Sequence, residues 1–471
     1  MGMTIGILGL GGFGQAFVEL FTDHPLVDEV VLCERRADVL AAVAAQHRIT
    51  RTTTDFDELL RMDDVDGVAI YTQRWNHAPF AIQALKAGKH VYSAVPAAVT
   101  IAELDELVQT VRDTGLVYAL GETSFYRPQN IYCRERFAKG DFGRFVYGEG
   151  HYYHDMSHWF YLPFFDANGP EWRRYASVPP IWYPTHSVCH VLGVTMSRFT
   201  KVSCFGWRDD HPDGIFREEL SAFDNPWSNQ SALFRSADGG MARINEFRRC
   251  AAGEGRQQIM GTRAAYHEMP NPRSGDISVA QQIGGTEAAR EPAMLAMWKQ
   301  ICVDRSEFKQ DGTYNYEEAP FIHRKTGEDL SWLFDHSGVE ISEGNLHGLP
   351  REYLGRTHLG IGRLHPYWRL PKEYIGKRNG HAGSHQFLVH DYIQAIHEDR
   401  LPPNHVWLAA RLNAPGIVAH ESCRREGECL DIPDFGVPPA DKTCIDPLVR
   451  LRDGIAVPDD HRSASPVAAL A

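Results

Sequence analysis

His186 and His190 stand four residues apart in Thr185-His186-Ser187-Val188-Cys189-His190, a spacing that turns both imidazoles to one face of a helix. Such a pair can bind zinc, but neither a third ligand nor the adjacent glutamate of an H-E-x-x-H site accompanies it, so no metal is expected. A neutral imidazole, with a reference pKa of about 6.5, suits proton transfer instead, taking the proton of a hydroxyl as hydride leaves the same carbon. The alternative for each is a hydrogen-bonded helix histidine. Tyr183 lies three residues before His186, and Tyr152 belongs to the run Gly148-Glu149-Gly150-His151-Tyr152-Tyr153-His154-Asp155. A phenol titrates near about 10, so a base of this kind needs a cation such as Arg173, or a histidine, to lower it; otherwise the two rings simply pack at a domain seam.

A second chemistry is written at the other end of the chain. Gly9-Leu10-Gly11-Gly12-Phe13-Gly14 matches G-x-G-x-x-G directly after an apolar strand and at the opening of a helix. There the first glycine permits a tight turn, the second lets the backbone approach a pyrophosphate, and the third allows close helix packing. Glu34 follows 20 residues after Gly14, where a carboxylate accepts both ribose hydroxyls and repels a 2′-phosphate, which favours NAD. Arg35 and Arg36 pull the other way, since an arginine there can stack on adenine or pair with the 2′-phosphate of NADP.

The elements that must position these groups fall into two textures. Strands at Thr4 to Leu8, Glu29 to Cys33, Gly67 to Tyr71, His90 to Tyr92 and Leu116 to Leu120 alternate with helices through Phe21, Ala78 to Ala87 and Ile101 to Asp113, the signature of a parallel sheet covered on both faces. After about residue 121 the predicted strands Arg144 to Tyr153, Lys201 to Trp207, Gln230 to Ser236 and Gly240 to Phe247 show polar alternation, which reads as antiparallel. Helices are predicted at Thr185 to Arg198, Ser384 to Glu398 and His405 to Glu421. The expected fold is α/β, an N-terminal Rossmann domain over 1–123 followed by an α+β domain over 124–435 with a largely antiparallel open sheet. Residues 270–380 read as a long insertion and 436–471 as an extended tail.

The chain has 471 residues, 43% hydrophobic and 23% charged, with 48 Lys and Arg against 61 Asp and Glu for a net charge of −13. This is globular composition, and the acidic balance argues against nucleic acid or an anionic membrane as partner. No apolar run reaches the roughly 18 residues of a membrane span, and no signal peptide is evident. Nine scattered cysteines without a C-x-x-C read as reduced thiols in a cytoplasmic protein.

The stretches from Tyr71-Thr72-Gln73-Arg74-Trp75-Asn76-His77-Ala78-Pro79 to Ala84-Leu85-Lys86-Ala87-Gly88-Lys89-His90-Val91 resemble the Gfo/Idh/MocA oxidoreductases. Most members carry Glu-Lys-Pro after the fourth strand, the lysine helping to remove a substrate hydroxyl proton, whereas this chain has Ala94-Val95-Pro96. Val95 to Ala98, Gly121-Glu122, Gly148 to Asp155, Trp172-Arg173 and Tyr183-Pro184-Thr185-His186 resemble the branch typified by glycoside hydrolase family 109. Two positions depart from that branch, Ala94 for glutamate and Thr123 for asparagine.

The resemblance implies cofactor contacts at Gly9, Leu10, Gly11, Gly12, Phe13, Gly14, Glu34, Arg35, Thr72, Arg74, Trp75, Asn76, His77, Ala94, Val95, Glu122 and Thr123. It implies substrate contacts at Tyr152, Arg173, Tyr183, Thr185 and His186, with His381 in the loop Asn379 to His385 as a further candidate. The candidate catalytic set is His186, Tyr152, Tyr183, His190, Glu122 and His154.

The implied activity is an NAD-dependent glycosidase in which C3 oxidation acidifies the C2 proton, the C1 group departs by elimination, water adds and the ketone is reduced. An NAD-dependent glycoside 3-dehydrogenase and a non-catalytic, sugar-responsive NAD-binding regulator are the alternatives. Arg351, Arg356, Arg363, Arg369 and Arg378, with His347, His358, His365 and His381, leave open an anionic glycoside such as a sulfoquinovoside or glucuronide, or else solvated loop charges. A homo-oligomer, dimer or tetramer, is expected.

Overall fold

The computed structural model describes residues 2–156, 161–250, 253–268, 335–346 and 348–447; His347, most of the 270–380 insertion and the end of the tail lie outside them. Six strands form the first sheet: β1 (Met3–Leu8), β2 (Val27–Cys33), β3 (Thr52–Thr53), β4 (Gly67–Ile70), β5 (His90–Ser93) and β6 (Tyr118–Leu120), in the order β3-β2-β1-β4-β5-β6. All pair in parallel. Every residue of β1 is buried, as a central strand covered on both faces requires. Between the strands run α1 (Gly12–Thr22), α2 (Ala37–His47), α3 (Phe56–Leu60), α4 (His77–Lys86) and α5 (Ile101–Thr114). α5 starts in a capping box: the Thr100 hydroxyl accepts from the Glu103 amide at 3.1 Å, and the Glu103 carboxylate accepts from the Thr100 amide at 3.1 Å.

After α6 (Pro128–Ala138) a second sheet begins: β7 (Phe145–His154), then α7 (Leu162–Asn168), α8 (Trp172–Ala176) and α9 (Thr185–Thr195), then β8 (Phe199–Arg208), β9 (Trp227–Ser236), β10 (Met241–Phe247), β11 (Gly253–Gly261) and β12 (Ala265–His267). A short hairpin, β13 (Gly338–Glu340) and β14 (Thr357–Leu359), precedes α10 (Ser384–His397), α11 (Val406–Arg424) and β15 (Leu430–Asp431). The sheet order is β12-β11-β7-β10-β9-β8-β15. It is mixed: β7 and β10 pair in parallel, Gly150 opposite Ile244, inside an otherwise antiparallel ladder. Polar alternation foresees the one-sided burial, seen in β9 as buried Ala232 and Phe234 against exposed Leu233 and Arg235, but burial carries no strand direction.

Helix α9 lies on β7 because β7 has no side chains where they cross. A Cβ at Gly150 would sit 1.8 Å from the Ser187 carbonyl oxygen, and one at Gly148 2.9 Å from Val191. α11 packs on α5 of the first sheet and on β8 and α9 of the second, and Asn413 accepts from the Ala98 amide at 2.9 Å. The two sheets therefore share one apolar core. The cysteines among the described residues are free thiols, and no described helix is long and apolar enough to cross a membrane.

Candidate functional site

The glycine loop between β1 and α1 is built as a phosphate cradle. Gly9 has φ of 92°, and a Cβ there would meet the Tyr71 carbonyl oxygen at 2.8 Å; a Cβ at Gly14 would meet the Gly9 carbonyl oxygen at 2.3 Å. Over Gly11 and Gly12 the space is open, with nothing within 4 Å of either Cβ position, and α1 has no side-chain cap, so its first amides face that space. These are the features a pyrophosphate needs. Glu34, buried at the end of β2, accepts from the Leu10 amide at 2.8 Å and so ties the loop to the ribose end. Burial raises its pKa, but Arg36 and the Leu10 and Arg36 amides more than reverse this, keeping it ionised and below its ordinary value.

The arginine that pairs with Glu34 is Arg36, at 2.9 Å. Arg35 turns away and donates to the Ala167 carbonyl at 2.5 Å, while Gln73 donates to the Pro163 carbonyl at 3.2 Å. α7 is thereby fastened over the ribose edge of the cradle. The residues fit NAD, and the protein is expected to purify with NAD bound; Glu34→Ala should weaken discrimination against NADP by about tenfold, the loss of hydrogen bonds to a charged group. Extracting the cofactor and comparing dissociation constants of the two dinucleotides checks both, and an unchanged preference would remove Glu34 from the ribose site.

At the other end of the cradle, beyond β6, Glu122 is fully buried and accepts from the Ser124 amide at 2.7 Å. Its Oε1 lies 2.7 Å from His186 Nδ1, and His186 Nε2 lies 3.2 Å from the Tyr183 hydroxyl. Burial pushes the Glu122 pKa up, but the charge and hydrogen bond of His186, with Thr185 and the Ser124 amide, bring it below its ordinary value. The result is a carboxylate that orients an imidazole, whose free nitrogen faces a phenol. Tyr152 completes the cluster, its ring 4.9 Å from that of His186 and 6.0 Å from that of Tyr183. His154 stands 5.6 Å from Tyr152, and Thr185 is buried at the start of α9.

Both phenols are pushed up by burial, against the lowering charge of Arg74 and Arg248, so the cationic lowering that a resting phenolate base needs does not prevail. The Arg173 guanidinium stacks on Trp172 at 4.6 Å, while Arg74 lies 4.5 Å over the Tyr183 ring and Arg248 5.4 Å from the Tyr152 ring. Arg248 is the residue that sequence reasoning misses; the one signal it offers is Glu246-Phe247-Arg248, a charge alternation at an apolar strand end.

The remaining candidates spread around this centre. His190 lies one turn further along α9, 3.4 Å from Asn130, and burial drives it well below its ordinary pKa. His77 contacts the Pro96 and Thr72 carbonyls at 2.8 and 3.0 Å, bracing the turn that carries Arg74, Trp75 and Asn76. Trp75 stacks on Tyr175 at 5.3 Å. Ala94, Val95 and Thr123 are buried beside the ends of β5 and β6. His381, at φ of 49°, bonds His385 at 2.7 Å and meets Phe13 of the glycine loop edge-on at 5.6 Å. Of the insertion arginines, Arg351 pairs with exposed Glu343 at 3.2 Å and Arg369 pairs with buried Asp391.

Residues 3–122 match the family model described as oxidoreductase family, NAD-binding Rossmann fold, GFO_IDH_MocA. A glycosyl hydrolase family 109 protein of Saccharopolyspora erythraea is 31% identical over 461 residues, covering 92% of this chain and 83% of that one. Another, of Solibacter usitatus, is 33% identical over 451 residues, covering 92% and 88%. Among solved structures, levoglucosan dehydrogenase in complex with NADH and levoglucosan shares the fold at a TM-score of 0.60 and 18% identity over 92% of this chain and all of that one. Myo-inositol 2-dehydrogenase of Lactobacillus plantarum does so at 0.59 and 13%, over the same shares.

Proposed function

The chain belongs to glycosyl hydrolase family 109, within the Gfo/Idh/MocA oxidoreductases, and on that premise we propose that it is an NAD-dependent glycosidase that cleaves by transient oxidation at C3 of the sugar. The observation that carries this reading is the Glu122–His186–Tyr183 chain of contacts, in a chain whose Val95 replaces the usual proton-handling lysine. Nicotinamide, when bound, supplies a hydride acceptor and later returns the hydride. His186 takes the C3 hydroxyl proton at Nε2, directly or across the Tyr183 hydroxyl, and Glu122 stabilises the imidazolium. With a ketone at C3, the C2 proton is acidic enough for a side-chain base. The proton held at His186 is then available to the departing C1 oxygen. Water adds to the enone, and reduction closes a redox-neutral cycle.

The test is product labelling. Hydrolysis in D2O is expected to place deuterium at C2, a substrate deuterated at C3 to keep that label, and absorbance at 340 nm to show no NADH accumulating with turnover. A keto sugar formed with stoichiometric NADH and an intact glycosidic bond makes the chain a dehydrogenase. Cleavage without deuterium at C2 means direct displacement by carboxylates, with Glu122, Glu149 and Asp155 as the groups to mutate.

A further inference from the structure

Beside the Glu122–His186–Tyr183 cluster lies a second buried carboxyl that the proposed cycle does not use. Glu246 stands in β10 opposite Tyr152 of β7 and Gln230 of β9 and is fully buried. Its Oε2 accepts from Arg248 Nη2 at 3.1 Å, and its Oε1 meets the hydroxyl of Ser187, the residue after His186 at the start of α9. Ser187 Oγ also lies 3.0 Å from the Pro184 carbonyl oxygen.

A hydroxyl has one proton to donate. The Pro184 carbonyl can only accept, and so can an ionised carboxylate; Ser187 would then serve one of them and leave the other as a bare oxygen–oxygen contact. With a proton on Glu246 Oε1, both contacts are hydrogen bonds: the acid donates to Ser187 and Ser187 donates to Pro184. The Arg248 contact fits this state as well, since Oε2 still accepts. The surrounding charges agree. Burial pushes the Glu246 carboxyl up to about 8, with the charge of Glu122 adding to it and Arg248 and Ser187 opposing. The negative charge of an ionised Glu246 raises the Tyr152 and Tyr183 phenols, against Arg74 and Arg248. On the β9 side Gln230 is neutral and lies 3.1 Å from His420 of α11, which burial keeps neutral. Two carboxyls near one reacting end are thus driven in opposite directions, Glu122 down and Glu246 up, the pattern that separates an ionised role from a protonated one.

We infer that Glu246 is a positioning residue that works as a neutral carboxylic acid: its proton, given to Ser187, ties the start of α9 to β10, holds His186 in line with Glu122, and withholds a second negative charge from the two phenols. This rests on the reading of His186 as the proton carrier and deepens it, because the ionisation of Glu246 then sets the alkaline edge of the range in which His186 is held.

The experiment titrates the NAD-loaded full chain, Glu246→Gln and Ser187→Ala from about pH 6 to about pH 10, a range in which an ordinary carboxyl is ionised throughout. The glutamine amide copies the neutral acid, donating to Ser187 and accepting from Arg248, but cannot ionise. Infrared spectra in D2O are expected to show a protonated-carboxyl band in the unmodified chain that is absent from Glu246→Gln, shifted in Ser187→Ala and half lost near pH 8. In proton NMR the downfield signal of the His186 Nδ1 proton that faces Glu122, identified by its loss in His186→Ala, should move with the same midpoint in the unmodified chain and hold still in Glu246→Gln. If Glu246→Gln fails to fold, shown by circular dichroism, the midpoint of the band in the unmodified chain and its shift in Ser187→Ala decide. A chain without that band at the acid end of the range, or a His186 signal that moves alike in the unmodified chain and a folded Glu246→Gln, overturns the inference. Neither reading uses turnover, so a chain that shows both but leaves C2 undeuterated keeps the neutral Glu246 and loses the glycosidase mechanism.

Discussion

His186→Ala is expected to lower kcat by roughly two to four decades while leaving NAD bound, because it removes the imidazole that touches both the buried carboxylate and the phenol. Glu122→Gln should lose a comparable amount by a different route. The amide keeps the volume but cannot stabilise an imidazolium, and it offers His186 Nδ1 either a donor or an acceptor, unsettling the tautomer. The two losses should not add, since both residues act on one proton. The double variant therefore falls near the worse single one. Tyr183→Phe and Tyr152→Phe are read by hydrogen exchange: loss of C2 exchange with retained C3 oxidation marks the C2 base. Unchanged turnover in His186→Ala would return it to a structural helix residue.

The second large effect is acid instability. Burial lowers His24, His77 and His365 to about 4, His77 and His365 in spite of their backbone hydrogen bonds. It lowers His385 and His420 to about 3, with His381 and Arg424 contributing. All five are buried and enter the fold neutral. The unfolded chain takes up their protons near pH 6.5, so the stability they lend is complete above that pH and is lost as pH falls toward 4. With five groups the slope approaches about 7 kcal/mol per pH unit once all are titrating, enough to exhaust an ordinary stability of about 5–15 kcal/mol by about pH 5. Urea midpoints measured from pH 7.5 down to 4.5 check this. A flat profile would mean that these imidazoles reach solvent in the folded protein.

The cradle and the parallel sheet are legible in the sequence because their signals are local: a glycine pattern, a strand on each side, a carboxylate at a fixed distance. The second sheet is legible as burial but not as direction, so the parallel β7–β10 pair stays hidden. Glu122 and His186 can be picked separately, yet their contact spans 64 residues of sequence. Arg248 offers only the faint charge alternation of Glu246-Phe247-Arg248, since a strand-end arginine looks solvated until the chain from Pro180 to Tyr183 folds over it. The choice between a lowered phenol and a packed ring at Tyr152 and Tyr183 stays open in the sequence for a related reason. Their neighbours' charges can be guessed from composition, but the burial that outweighs those charges exists only in three dimensions.

The 2.7 Å contact between Glu122 and His186 joins two different parts of the molecule: one residue follows the last strand of the parallel sheet, and the other rides on α9 above the mixed sheet. Any motion that parts the sheets to admit a sugar also parts the carboxylate from its imidazole. The contact therefore couples the spacing of the two sheets to the orientation of the imidazole: a separation greater than one hydrogen-bond length would leave His186 without the carboxylate that orients it.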